Sequence, residues 1–247
     1  MLPPLLLVLL VALAVSQAAL LSTTIFLHRA LTHRALTLHP AVRAAFRVVI
    51  WLTTGIRPRQ WVAVHRRHHA FTDVKGDPHS PMLEGFAMVQ FANVALYRRA
   101  AKDPMTVARY ARDLPPDRWD RLFFDRALLG LGIGTVVLVA LLGPWVGLLA
   151  AGFHTVTYLV LNAAVNAVGH RFGRQPHENT ARNSQWLAWL TLGEGLHNNH
   201  HAAPTTARFS HRPTELDPGW WILRILERCR LVTVRHRQAK LKEPQAA

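Results

Sequence analysis

Eight of the chain's 15 histidines stand in three short clusters: His28 and His33 in HRALTH, His65, His68 and His69 in HRRHH, and His197, His200 and His201 in HNNHH. A neutral imidazole offers a nitrogen lone pair, for which metal ions compete with protons. In the second cluster the rings flank Arg66 and Arg67. Protonated histidines there would repel the guanidinium groups, so lone pairs given to a metal are the physical reading. On a helix, positions i, i+3 and i+4 lie within about 100° of one another. Each HxxHH triplet therefore presents three rings on one face, and two facing triplets can build a cage for two metals. Imidazole suits iron, zinc, copper or nickel, so the clusters alone leave the metal open. A lone histidine is usually a surface or hydrogen-bonded core residue, but eight in three clusters, two with identical spacing, are not accounted for that way.

The elements that must carry these clusters are legible in the charge distribution. The formal net charge is +15, with 29 Lys and Arg against 14 Asp and Glu, which in a soluble chain would point to nucleic acid. Residues 1–28 and 127–170 contain no Lys, Arg, Asp or Glu at all. That one-sided pattern excludes a nucleic-acid partner and predicts an all-α integral membrane protein, a single domain over 1–247. Leu5 to Leu27, about 34 Å as a helix, predicts a first transmembrane span at 5–27 rather than a signal peptide, because no basic segment precedes it and no cleavage site follows. A hairpin of spans at 127–142 and 145–168 turns at GPW. With the basic residues cytosolic, 29–126 and 171–247 form a helical cap and the clusters lie at the cytosolic boundary. Apolar stretches at 40–58, 186–192 and 219–231 read as interfacial or re-entrant amphipathic helices resting that cap on membrane lipids. Cys229 is the one cysteine. A disulfide, a zinc knuckle or an iron–sulfur cluster within one chain is therefore excluded.

The three boxes, in this order, resemble the integral-membrane fatty acid desaturases, in particular the acyl-CoA and acyl-lipid Δ9 type. The residues that carry the resemblance are HxxxxH at 28–33, HxxHH at 65–69 followed by GDPH at 76–79, and GEGLHNNHH at 193–201. Four residues separate His28 from His33, where HxxxH would have pointed to alkane, sterol or carotenoid hydroxylases. His197 stands where front-end desaturases carry Gln. The resemblance implies a ninth histidine at the cytosolic end of the last membrane helix and an Asn four residues earlier that reaches a metal through water. The matching residues are His170 and Asn166. Asn162, Asn166 and His170 do form an i, i+4, i+8 stripe, and polar groups on one face of a membrane helix require a reason. His154, 16 residues before His170, falls about 24 Å away along the helix, near the opposite membrane face.

The resemblance further implies two irons, O2 as co-substrate, and removal of hydrogens from two adjacent methylenes to leave a cis double bond. Asp73, Asp77, Glu178 and Glu194 are the carboxylates near enough to orient ligand rings, with Asp77 and Glu194 singled out; salt bridges or helix capping are the competing roles. A tunnel would select the carbon pair, with Trp61 in its wall. Arg98 and Arg99, beside Lys102, would meet the anionic end of an acyl-CoA or acyl-lipid, or else form a lipid-facing basic patch. With no haem domain in the sequence, electrons would come from a separate ferredoxin, rubredoxin or cytochrome b5 and its reductase, drawn to the basic face. The expected location is a multi-pass position in a bacterial inner membrane, with the active site on the cytoplasmic side. Two features depart from the family pattern: 27 residues precede His28, where eukaryotic relatives have a further helix, and Leu196 replaces a Trp. The competing functions are a sister diiron hydroxylase and a metal-transporting membrane protein, although transporter sites lie near the bilayer midplane.

Overall fold

The computed structural model describes residues 3–237. Helix α1 (Pro4–Ser22) runs directly into a π-helical stretch (Thr23–Thr32), followed by β1 (Leu36–Leu38), α2 (Pro40–Thr54), α3 (Pro58–Ala70), α4 (Phe86–Lys102) and α5 (Pro104–Tyr110). A short π-helical turn at Asp120–Phe124 leads to α6 (Ala127–Leu142) and α7 (Pro144–Ala167), followed by α8 (Gln185–Leu190), α9 (His197–Ala202), α10 (Pro218–Arg228) and β2 (Val232–Val234). Proline opens α1, α2, α3, α5, α7 and α10. There its fixed φ fits the first turn and its missing N–H costs no hydrogen bond.

The architecture is helical as expected, with one addition. β1 and β2 pair antiparallel, Leu36 opposite Val234, and tie the far end of the described chain to the segment that follows His33. Of the three expected membrane spans, two have the full length among the described residues. The continuous helix Pro4–Thr32 and α7 are long and apolar enough to cross a membrane, whereas α6 has 16 residues. At 1.5 Å per residue it reaches about 24 Å, short of the roughly 30 Å hydrocarbon core. The first long helix also extends past Leu27, so His28 lies inside it rather than after it.

Helices α1 and α7 pack against each other through small residues. Ala12, Ser16 and Ala19 are buried on one side of α1, while Leu5, Leu6, Leu9, Leu10 and Leu13 are exposed on the others. Small residues inward and large apolar residues outward is the pattern of helices that associate within lipid. Gly130 and Gly134 of α6 lie so close to the Trp51 and Leu52 carbonyls that a side chain at either would collide with α2. The C-terminal turn of α2 is thereby held among α1, α6 and α7. His154 closes this junction: its Nδ1 and the Ser16 hydroxyl are 3.0 Å apart, and its Nε2 donates to the Thr53 carbonyl at 2.8 Å. A hydroxyl donating to Nδ1 and an N–H at Nε2 satisfy both ring nitrogens of a neutral imidazole. Ser16 sits midway along the first long helix, so His154 stands at mid-depth of the bundle rather than near its far face.

Candidate metal centre

The three boxes arrive on three kinds of helix. His28 and His33 lie on or at the end of the π-helical stretch, the HRRHH triplet forms the last turns of α3, and HNNHH is most of α9. A six-residue helix such as α9 does not hold itself. The two asparagines inside the box hold it instead. Asn198 donates to the carbonyls of His177 and Ala181 and to Asn179 Oδ1, and Asn199 donates to the Phe209 carbonyl and to Glu215. The Asn183 side-chain oxygen accepts from both their amides.

Nine histidines converge in two groups, His28, His33, His65, His69 and His200 in one, and His68, His170, His197 and His201 in the other. Within each group one ligand-capable atom per residue lies within 4.8 Å of all the others. Each triplet is split by its spacing. The i, i+4 pair His65 and His69 goes to the first group and His68 to the second, while His197 and His201 go to the second and His200 to the first. Ring nitrogens face each other closely: Nε2 to Nε2 is 3.0 Å for His28 and His200, 3.1 Å for His65 and His69, 3.0 Å for His69 and His200, and 3.0 Å for His170 and His197.

Three carboxylates orient three of the rings. Glu194 accepts from His28 Nδ1 at 2.7 Å, Asp77 from His68 Nδ1 at 2.9 Å and Asp73 from His170 Nδ1 at 2.8 Å. An N–H held on Nδ1 leaves Nε2 as a lone pair, the arrangement by which a carboxylate fixes the tautomer of a metal-binding histidine. Burial by itself would raise these carboxyls, but their histidine partners outweigh it and hold all three below the usual carboxylate range. Thr24 adds a hydrogen bond to Glu194, and Ser80 one to Asp73 at 2.6 Å. Glu178 is exposed and holds none of the rings.

Burial, reinforced by neighbouring rings, pushes His65, His69, His197, His200 and His201 well below the usual histidine range, so these rings are neutral. His68 Nε2 is buried and has no hydrogen-bond partner. Neutral nitrogen donors converging within one ion's reach, with a buried lone pair left unanswered, fit a cation, and an all-imidazole set suits a first-row transition metal.

A buried ion pair links the first box to the start of α10. Arg29 Nη2 donates to Asp217 Oδ1 at 3.0 Å with both side chains fully buried, and its guanidinium stacks 3.9 Å from the Phe209 ring centroid. Phe209 in turn packs on His28 and His200. Gly193 and Gly219 leave the space the guanidinium occupies. Removing one partner of such a pair costs about 3–5 kcal/mol. The sequence analysis did not single out this pair; the signal that could have found it is an arginine directly beside His28 at the end of an uncharged span.

A cavity of about 820 Å3 lies against the first group. His28, His65 and Asn166 are in its wall, and Trp61, stacked on the His65 ring at 4.8 Å, is beside them. Val156, Leu159 and Ala163 continue the wall along α7. From Val156 to Asn166 this is about 15 Å of helix. Arg98 and Lys102 also line the cavity. Arg99 does not; it pairs with Glu84 and its side chain is 62% exposed, so the two arginines are not equivalent.

The comparisons with known proteins agree with this geometry. The chain is 33% identical to an acyl-CoA C20 Delta5-desaturase of Anemone leveillei over 85% of its own length and 68% of the relative's. It is 29% identical to the sn-1 stearoyl-lipid 9-desaturase of Synechocystis, covering 82% of this chain and 63% of that one. A hex-5-enoyl-[acyl-carrier protein] acetylenase of Moorena producens is 29% identical over 87% and 72% of the two lengths. The chain thus spans about two thirds of the length of these relatives. The fatty acid desaturase family model matches residues 3–222, from the start of α1 into α10 and through all three boxes, and the chain belongs to that family.

Proposed function

We propose that this chain is an O2-dependent fatty acyl desaturase that places a cis double bond, at Δ9, in a saturated acyl chain. The observation that carries this reading is the cavity: one continuous wall passes from Val156 and Leu159 to Asn166, His28 and His65. An alkyl chain lying there meets apolar surface and has methylenes beside the histidine groups. His28, His33, His65, His69 and His200 would hold one iron, and His68, His170, His197 and His201 the other, with Asn166 reaching the second through water. Irons held there would supply, with O2 and two electrons and two protons from the donor system, the oxidising power to take two hydrogens from adjacent methylenes, leaving an alkene and two waters. Glu194, Asp77 and Asp73 keep the Nε2 lone pairs of His28, His68 and His170 facing inward. Trp61, packed on His65, keeps that ring from turning, and the cavity wall fixes which carbon pair stops beside it.

Arg98 and Lys102 supply positive charge at the cavity for an anionic acyl carrier. The relatives named above act on acyl-CoA, acyl-lipid and acyl-carrier-protein forms, and any of these headgroups suits that charge. Electrons come from a separate small donor and its reductase. The chain sits in the membrane through the Pro4–Thr32 helix and the α6–α7 hairpin, with the histidine groups on the cytoplasmic side. The deciding experiment is expression in a host lacking desaturases, followed by mass-spectrometric location of any new double bond. A hydroxylated product would assign the chain to oxygen insertion instead, and absence of any O2-dependent product would defeat the reading.

A further inference from the structure

The two arginines inside HRRHH belong to neither histidine group, yet their side chains are only 20% and 28% exposed. Arg66 meets five acceptors with its five N–H donors. Its Nε donates to the Thr32 carbonyl at 3.0 Å and its Nη2 to the Leu31 carbonyl at 2.8 Å. Its Nη1 donates to the Tyr110 carbonyl at 2.9 Å, and the Asp113 carboxylate accepts from Nη1 at 2.5 Å and from Nη2 at 3.1 Å. Leu31 and Thr32 end the π-helical stretch that carries His28, and His33 follows directly.

A helix leaves its last carbonyls without intrahelical donors, and a cation is favoured at that end. Arg66 supplies both the N–H groups and the charge. Arg34, just past the stretch, takes a left-handed φ of 53°, and its guanidinium pairs with the same Asp113 at 2.5 Å. Hydrogen bonds from Arg66 and Arg34 outweigh burial and hold the Asp113 carboxyl below the usual carboxylate range. The first box, α3 and the chain just after α5 therefore meet at one guanidinium. A lysine ammonium, with three donors on a single point, could not meet acceptors on these segments together. Arg67, about 100° further round α3, reaches elsewhere. Its Nε donates to the Gly76 carbonyl at 2.9 Å and its Nη1 to Thr106 Oγ1, near the start of α5, at 2.8 Å. Gly76 belongs to the turn that carries Asp73 and Asp77.

We propose that Arg66 is a positioning residue that, paired with Asp113, fixes the first histidine box against the second. His65 and His69, on either side of it in the sequence, belong to the same five-histidine group as His28 and His33. One guanidinium thus sets the spacing between rings that arrive on two separate helices. Arg67 is the internal contrast, because it holds the turn whose Asp77 and Asp73 orient His68 and His170 of the other group. What the groups hold rests on the diiron reading, whereas the tie between the boxes stands on the five hydrogen bonds of Arg66.

The test compares Arg66→Gln with Arg67→Gln. In metal-depleted protein, hydrogen exchange is followed peptide by peptide: Arg66→Gln is expected to speed exchange over residues 23–33, and Arg67→Gln over residues 71–80. In protein loaded with Co2+, Arg66→Gln is expected to bind about 10-fold more weakly the metal whose visible absorption is missing from His33→Ala, while the metal missing from His170→Ala stays bound. Arg67→Gln should show the reverse. A general loss of stability would loosen both segments and weaken both metals alike in each variant. That result, or unchanged exchange over 23–33 in Arg66→Gln, would overturn the proposal. If Arg66→Gln does not fold, Asp113→Asn decides: it keeps the guanidinium and weakens two of its bonds, so faster exchange over 23–33 is expected, and unchanged exchange would overturn the tie. If wild-type protein takes up no Co2+, the diiron reading fails, and the metal-free exchange still decides whether Arg66 joins the boxes.

Discussion

The amide of His33 donates to the carbonyl of His28, five residues back, at 3.1 Å, and the two rings stand 4.8 Å apart, edge to face. In an α-helix, residues five apart point about 140° away from each other. The i→i+5 bonds of the π-helix wind the chain more slowly and bring both rings to one side, and Thr32 adds a side-chain bond to the Leu27 carbonyl at 2.8 Å. The HxxxxH spacing therefore brings the two rings to one side only because the first long helix changes its pitch after Ser22. π-helical segments are uncommon and concentrate at functional sites.

Inserting one alanine after Ala30 sets the two histidines six residues apart and turns His33 by about 100° further from His28. The expected outcome is a fall from two irons per chain toward one, with loss of alkene formation. Metal analysis beside a His33→Ala control checks this. Two irons and full activity in the insertion variant would show that the facing of the two rings is irrelevant.

The two histidines of α7 and the residues just after it should behave differently. His170→Ala removes a member of the four-histidine group and should lose one iron and desaturation together. Asp73→Asn leaves the ring but not its orientation and should weaken metal binding by about 10–100-fold. His154→Ala, which breaks the junction with Ser16 and Thr53, should keep both metals and lose about 1–3 kcal/mol of stability. Metal content and melting temperature of the three proteins side by side separate these outcomes.

Arg98→Glu should raise KM without moving the double bond, because charge attracts the carrier while the cavity wall selects the carbon pair. Arg99→Glu, a change to a residue already engaged by Glu84 outside the cavity, should alter KM far less. Equal effects at both positions would argue for a diffuse basic patch.

Metal-depleted protein should lose stability as pH falls below about 6.5, the histidine value in an unfolded chain. His65, His69, His197, His200 and His201 are held well below that value by burial. Between the folded and unfolded values the unfolded chain binds protons the folded one refuses, so stability is fully present above this window and declines through it. The decline is up to about 1.4 kcal/mol per pH unit for each ring. Asp73, Asp77 and Glu194, held below the carboxylate range, add a second loss at lower pH. Thermal unfolding in detergent between pH 8 and pH 5 measures this, and a flat profile would contradict it.

Helical character, the uncharged stretches, and the identity of the residues that could hold metal are all visible in composition and spacing. Each depends on short-range rules: a 3.6-residue repeat, the length of an apolar run, and the chemistry of imidazole beside arginine. Proline at the first turn is a local preference of the same kind, although the sequence reading did not use it to place helix starts. Other features depend on elements distant in the chain. His65 and His69 part from His68 because α9 approaches from the opposite side with His200 and His201. Asp73, Asp77 and Glu194 find His170, His68 and His28 across separations of 97, 9 and 166 residues. Arg98 and Arg99, adjacent and chemically identical, are told apart only by where α4 turns them. Pairing of this kind is settled by which buried polar groups can satisfy one another once the helices pack, and no local pattern encodes that balance.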